Sequence, residues 1–327
     1  MDKKVFSRER GRRMKVLITG SCGFIFSNFI IYAQQETKWD LVSVDKLTHA
    51  GSLHNISYNN SVHNKRHKFY LGDVCDYDFI SKIFEIEKPD IVIHGAVESM
   101  ANSHTFVSTN IIGAHSMLEA ALKVHMPQKF INISTDEVYG NIKNGQSDEK
   151  DILNPRNPYS SSKASADLLG QSYYTAYGLP VITTRCSNNF GPRQHVERFI
   201  PKVITNIITN QPIFLYGDGK DKRDWMYVKD KFRALQIIVE NGIPGEVYNI
   251  GTNKEKENIE VIKTIFDIMG NGEDLLEYAE TQVKHDRRHS VNNNKIKNLG
   301  WEPTYTFDGA LAHTIGWYKA NTWFWRK

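Results

Sequence analysis

A rhythm in the apolar residues restricts the fold of this chain more than any other feature. Short runs rich in β-branched side chains recur at Lys15–Thr19, Leu41–Asp45, Lys68–Leu71, Ile91–His94, Phe130–Ser134, Val181–Thr184 and Val247–Ile250, with helix-length stretches between most of them. A strand wetted on one face alternates apolar and polar residues, whereas a strand buried on both faces reads as a nearly continuous apolar run. Such runs alternating with helices predict a parallel sheet covered on both sides, a doubly wound α/β fold. Residues 110–124 show the helical half of the pattern: Ile111, Ala114, Met117, Leu118, Ala121 and Leu122 fall at steps of three and four, and Pro127 follows.

After Gly191-Pro192 the spacing lengthens and the chain ends in a tryptophan-rich stretch, Trp317, Trp323 and Trp325, read as core or docking residues. The expected division is a basic extension at 1–13, a nucleotide-binding region at 14–190 with a returning strand near 229–251, and a smaller substrate-binding α/β region at 191–327. No internal repeat is visible.

Composition removes several classes. Of 327 residues, 40% are apolar and 24% charged, which excludes disordered and collagen-like chains. The net charge of +4 resides in residues 1–13, where six basic side chains face two acidic ones; the remainder is balanced, which argues against a nucleic-acid partner. The longest apolar stretch, Phe24–Ala33, is interrupted by Ser27 and Asn28 and falls short of the roughly 20 residues that span a bilayer. No secretory signal is read at the start, so no membrane partner and a cytoplasmic location are expected. Cys22, Cys75 and Cys186 stand at no metal-like spacing, and no metal site is expected.

Val16-Leu-Ile-Thr-Gly20-Ser-Cys-Gly23-Phe-Ile-Phe26 passes from strand to helix. Gly20 permits a tight turn, and Gly23 lets a pyrophosphate approach the positive end of the helix. Asp45 closes the second strand, where a carboxylate accepts from an adenosine ribose and repels a 2′-phosphate, so NAD is favoured over NADP in a Rossmann-type site. Phe26 stands where a third glycine usually permits close helix–strand packing; its ring must push the helix away or fill a gap.

Downstream, Tyr159-Ser-Ser-Ser-Lys163 opens a helical stretch after Asn157-Pro158. Residues four apart share a helical face, so the ammonium is expected near the phenol, lowering its pKa and making Tyr159 a base. Ser134-Thr-Asp-Glu-Val-Tyr-Gly140 lies at the carboxyl end of a strand, the edge where open α/β sheets bind ligands. The adjacent carboxylates Asp136 and Glu137 can act as an acid and a base if their surroundings split their pKa values.

These residues resemble the extended short-chain dehydrogenase/reductase superfamily, and within it the nucleoside-diphosphate-glucose 4,6-dehydratases of the dTDP-glucose and UDP-glucose types. The likeness runs from Met14 almost to the C-terminus. It rests on Asp45-Lys-Leu-Thr48, Ser134–Gly140, Asn157-Pro-Tyr-Ser-Ser-Ser-Lys163, Cys186-Ser-Asn-Asn-Phe-Gly-Pro192, Arg223-Asp-Trp225 and Tyr248-Asn-Ile-Gly251. The resemblance implies three steps. Tyr159, helped by Thr135, removes the C4 hydroxyl proton as C4 hydride passes to NAD; Glu137 takes the C5 proton while Asp136 protonates the departing C6 hydroxyl; hydride then returns to C6. It further implies that Phe24, Ile25, Asp45, Lys46, Thr48, Asp73, Val74, Ala96, Thr109 and Asn189 line the NAD site beside Gly20, Gly23, Tyr159 and Lys163. Asn188, Arg198, Tyr216, Arg223, Asn258 and His285 would hold the sugar nucleotide, and a homodimer would form through the helices around 110–124 and 160–177.

The chain departs from the family pattern at Met100-Ala-Asn-Ser103, at Thr281-Gln-Val-Lys284 and at His289, where a tyrosine is usual. Two other readings stay open: a sugar-nucleotide 4-epimerase or decarboxylase using the same NAD and Tyr159/Lys163 half, and a non-catalytic NAD-binding module.

Overall fold

The computed structural model describes residues 12–57, 65–99, 103–280 and 286–326. Seven strands, β1 (Lys15–Thr19), β2 (Asp40–Asp45), β3 (His67–Leu71), β4 (Ile91–His94), β5 (Lys129–Thr135), β6 (Val181–Cys186) and, after an excursion, β10 (Val247–Ile250), form one sheet in the order β10-β6-β5-β4-β1-β2-β3. Every pair in it is parallel. The apolar runs explain why. Val16, Ile18, Ile91, Ile93, Ile131 and Ile133 enter one buried cluster, while Leu17, Val92 and Phe130 enter the cluster on the opposite face. Successive side chains of a strand point to opposite faces, so each run feeds two cores at once.

Helix α1 (Phe24–Glu36) packs on the first cluster through Phe26, Phe29 and Ile30; α2 (Tyr77–Glu87) and α3 (Gly113–Lys123) pack on the second through Ile80, Phe84, Met117 and Leu118. A π-helical turn, Val107–Ile112, leads into α3 and carries buried Thr109 and Asn110. The longest helix, α4 (Pro158–Tyr177), starts at a capping box in which the Asn157 side chain and Ser160 satisfy each other's backbone N–H groups, with proline at its first turn.

The second half adds β7 (Asn188–Phe190), β8 (Ile213–Tyr216), β9 (Lys222–Tyr227), β11 (Glu255–Glu257) and β12 (Leu276–Ala279). They form a three-stranded sheet, β11-β9-β7, and a two-stranded one, β12-β8. Helices α5 (Phe199–Thr209), α6 (Val228–Asn241), α7 (Asn258–Met269) and α8 (Phe307–Ala320) surround them. Trp301 is wholly buried and Trp317 and Trp325 pack against the large core, while Trp323 is exposed. All three cysteines are free thiols. Among the described residues no helix is long and apolar enough to cross a membrane. Of the basic extension, only Arg12 and Arg13 fall within the described residues; Arg12 pairs with Asp90 at 2.8 Å.

Candidate active site

From β1 the chain winds outward to β3, then crosses back to β4 and winds the other way, so the strand order reverses between β1 and β4. Ligands bind such sheets at the carboxyl ends of the strands beside that reversal. A cavity of about 470 Å³ opens there.

At its adenosine end the sequence motif does what its residue types allow. Gly20 has φ +71°, and a Cβ on it would lie 2.8–2.9 Å from Gly95 O and the backbone of Ala96, so no side chain fits. Gly23 opens α1 and offers no side chain to cap the N–H groups of its first turn, whose residues Phe24, Ile25 and Phe26 line the cavity. Asp45 accepts from the N–H of Cys22 at 2.8 Å and of Leu47 at 2.7 Å, which holds the glycine loop and the loop after β2 together; burial raises its pKa. Lys46 donates to Thr109 at 3.0 Å and pairs with Asp73 at 3.4 Å, tying the same loop to the π turn.

Phe26 fills a gap rather than displacing the helix. Its ring occupies the space above Gly95, where a built Cβ would come within 1.9–2.6 Å of three ring atoms. The glycine missing from the loop is in effect present on the neighbouring strand end. Thr19 Oγ1 fixes that strand end by accepting from the N–H groups of Gly95 and Ala96, each at 3.1 Å. It donates in turn to Nδ1 of His94, which burial and the Lys163 charge hold neutral with a pKa of about 3.

At the other end Tyr159 and Lys163 face the cavity from α4, with Thr135 and Glu137 beside them. The ammonium is anchored to backbone. Lys163 donates to the Ile133 carbonyl at 2.6 Å, and among the described residues no hydrogen bond joins it to Tyr159. Burial, with the Glu137 carboxylate, raises the phenol above its ordinary pKa instead of lowering it, against a pull from Arg198. Burial lowers the Lys163 ammonium to about 8, opposed by Asp167 and aided by the positive charge of Lys231.

The acid pair divides. Glu137 lines the cavity and accepts from Asn157 Nδ2 at 3.3 Å. Asp136 is 2% exposed and sits behind the wall, its Oδ1 in contact with the Thr135 hydroxyl at 3.3 Å. Burial, opposed chiefly by the charge of His289, lifts Asp136 to about 6. Two neighbouring carboxyls thus occupy different environments, one wet and one dry.

Gly20, Gly23, Phe24, Ile25, Asp45, Lys46, Thr48, Asp73, Val74, Ala96, Thr109 and Asn189 all line the cavity, as do Asn188 and Arg198. Arg198 donates to Ser99 Oγ. Tyr216, exposed at the end of β8, and Asn258, opening α7, lie off the wall. Arg223 is also off it, its guanidinium donating to the carbonyls of Asp286 at 2.7 Å and Lys222 at 2.8 Å. His285 and residues 100–102 fall outside the described residues. Sequence reasoning missed Lys231, which lines the cavity yet is 2% exposed and, among the described residues, has no hydrogen-bond partner. A lysine early in an amphipathic helix gave no sign of facing inward.

A family model described as GDP-mannose 4,6 dehydratase matches residues 17–314. Among curated proteins, a low-salt glycan biosynthesis protein of Haloferax volcanii is 40% identical, covering 94% of this chain and 99% of its own. A dTDP-glucose 4,6-dehydratase of Escherichia coli is 38% identical over 96% of both. Among solved structures, a dTDP-glucose 4,6-dehydratase of Bacillus anthracis in complex with NAD superposes with a TM-score of 0.89 at 39% identity, covering 96% of this chain and 99% of that one.

Proposed function

We propose, since the chain belongs to the GDP-mannose 4,6 dehydratase family, that it is an NAD-dependent hydro-lyase converting dTDP-glucose or UDP-glucose to the 4-keto-6-deoxy sugar nucleotide and water. The residues present fit NAD: a glycine turn that admits no Cβ, an uncapped helix start open to the cavity, and an acid at the end of the next strand. Gly20, Gly23, Phe24, Ile25, Asp45, Lys46, Thr48, Asp73, Val74, Ala96, Thr109 and Asn189 would hold it, with Tyr159 and Lys163 at the reacting end. NAD held there would supply the hydride acceptor for C4 and the hydride donor for C6.

The protein's own groups do the proton work. Tyr159 removes the C4 hydroxyl proton, and Lys163, anchored by the Ile133 carbonyl, places a positive charge at the same end of the cavity. Burial and the Glu137 carboxylate favour the protonated phenol, so its work as a base depends on positive charge placed close to it. Once C4 is a ketone the C5 proton is acidic. Glu137, on the cavity wall beside Tyr159, takes it. Asp136, whose raised pKa keeps it partly protonated near neutrality, supplies the proton that lets the C6 hydroxyl leave as water; Thr135 lies between it and the cavity. Asn188 and Arg198 on the wall contact the sugar nucleotide, with Tyr216, Arg223, Asn258 and His285 as further candidates.

The observation that carries this reading is the split acid pair. Epimerisation at C4 needs only the tyrosine and lysine, whereas elimination also needs a base at C5 and an acid at C6. Incubation with dTDP-glucose and with UDP-glucose tests it. A 4-keto-6-deoxy product absorbs in alkali; conversion to the C4 epimer without that absorbance rejects the assignment. We assign the protein to the cytoplasm as a homodimer paired through α4 and the π turn with α3, where Val107, Ile112, Leu168 and Tyr177 are exposed apolar side chains on adjoining helices. Sedimentation of a Leu168→Glu variant tests the dimer. The region before 191 is assigned to the cofactor and the later region mainly to the substrate.

A further inference from the structure

Two loops meet at the rim of the cavity, one following β2 and the other running from β7 into α5. His49, on the first, is exposed and also lines the cavity, as does half-buried His195 on the second. Each loop is held by its own backbone. The Gly51 N–H donates to the Thr48 carbonyl at 2.9 Å and the Ser52 N–H to the Cys22 carbonyl at 3.2 Å. The Arg198 N–H closes a turn on the His195 carbonyl at 3.0 Å, so His195 and Glu197 share one turn.

Three side chains converge there. Nε2 of His49 and Nδ1 of His195 lie 2.8 and 3.6 Å from the same oxygen, Glu197 Oε2. The ring centroids are 4.6 Å apart, and one ligand atom from each of the three residues lies within 4.8 Å of the other two. Nδ1 of His195 accepts from the Glu197 N–H at 3.4 Å, so it carries a lone pair and no proton. A lone pair facing a carboxylate oxygen repels it unless a cation lies between them.

We propose that His49, His195 and Glu197 form a site for a divalent transition-metal ion of the zinc type, and that the ion fastens the two loops at the cavity rim. Two imidazole nitrogens and one carboxylate oxygen are a donor set of three-ligand zinc sites, which leave a fourth position to water. Magnesium and calcium prefer oxygen ligands throughout. Bonds of about 2.0–2.2 Å set tetrahedral ligands about 3.4 Å apart. The 2.8 Å pair therefore opens slightly and wider pairs close, a small movement for side chains of which two are exposed. The metal replaces the proton that His49 Nε2 gives to Glu197, and that ring then carries its proton on Nδ1. His49 and Glu197 are 148 positions apart, and the cysteine spacing gave no hint of the site. The ion would tie the loop bearing Lys46 and Thr48 to the loop bearing Arg198. The proposed reaction has no net redox change, so NAD need not leave between turnovers and a fastened rim does not obstruct catalysis; that much rests on the dehydratase reading.

The experiment uses untagged protein, stripped with a chelator, with and without NAD. Cobalt(II) titration followed by visible absorbance should show one tight equivalent with no sulfur-to-metal band. His49→Gln, His195→Gln and Glu197→Gln should each weaken binding by about 100-fold or more, above the loss from an outer-shell partner. Urea midpoints of the metal-free variants should match wild type, which separates a lost ligand from a lost fold. Zinc should raise NAD affinity by about tenfold in wild type and not in the variants, and by linkage NAD should tighten zinc binding by the same factor. Absent cobalt binding, or equal binding in wild type and all three variants, overturns the site. Metal binding with unchanged NAD affinity overturns the fastening. Should wild-type protein hold no NAD under any condition, the proposed function fails instead, and cobalt binding alone decides the site.

Discussion

Adding one methyl group at Gly95 tests how the nucleotide loop tolerates an aromatic residue at position 26. The built Cβ would lie 1.9 Å from one atom of the Phe26 ring and 2.6 Å from two others, so ring or strand must move by more than an ångström to reach ordinary contact. The ring has little freedom: Phe26 is 3% exposed and meets Phe29 edge-on at a centroid distance of 6.0 Å. Overpacking of that kind costs about 1–3 kcal/mol. Phe26→Ala alone empties a packed site and costs about 3–5 kcal/mol. In the double variant the new methyl has space, so Gly95→Ala becomes nearly neutral, and the coupling between the two sites equals most of its cost in the wild-type background. Urea denaturation of the four proteins gives the cycle, and NAD titration gives a second reading, since the same ring backs the first turn of α1. Additivity within about 0.5 kcal/mol would falsify the compensation argument.

Glu137→Gln should abolish C5 proton exchange with solvent and elimination while NAD binding stays near normal; unchanged turnover removes Glu137 from the base role. Tyr159→Phe should prevent the reduced-nicotinamide absorbance on adding substrate, and its persistence contradicts the assignment. Asp136 has a folded pKa raised from 3.8 to about 6, so the folded state holds its proton more tightly, and stability falls as pH rises between those values. Asp136→Asn should flatten that limb, a difference of order 3 kcal/mol across the window; parallel wild-type and variant curves between pH 4 and 6 refute it. Lys231→Met removes a positive charge acting on Lys163, so the Lys163 titration should move upward from about 8, and an unmoved basic limb of activity argues against that coupling.

The large sheet was legible because burial on both faces is written into each strand's own residues. Lys15–Thr19, Ile91–His94 and Val247–Ile250 match the structure residue for residue, and β5 and β6 each extend beyond the expected limits. The short strands β7, β11 and β12 carry no such run; long-range pairing, such as Glu255 opposite Asp224, defines them. The same division holds in the cavity. Gly20 and Asp45 act through local backbone, and the sequence places them. The partner of Phe26 lies 69 positions away at Gly95, and nothing near Phe26 reports it. Spacing put Tyr159 and Lys163 on one helical face but could not tell which acceptor the ammonium would choose. Nor could adjacency in sequence show that Asp136 turns inward while Glu137 stays on the wall.

The return of β10 to the large sheet has a consequence for synthesis. Its backbone pairs with β6, with Val247 opposite Thr183, so a nascent chain stopped at residue 190 would present the open edge of β6 to whatever strand came near. Emergence from the ribosome therefore cannot finish the first layer before the second has been made, and an N-terminal fragment cut at that boundary should clump rather than stand alone.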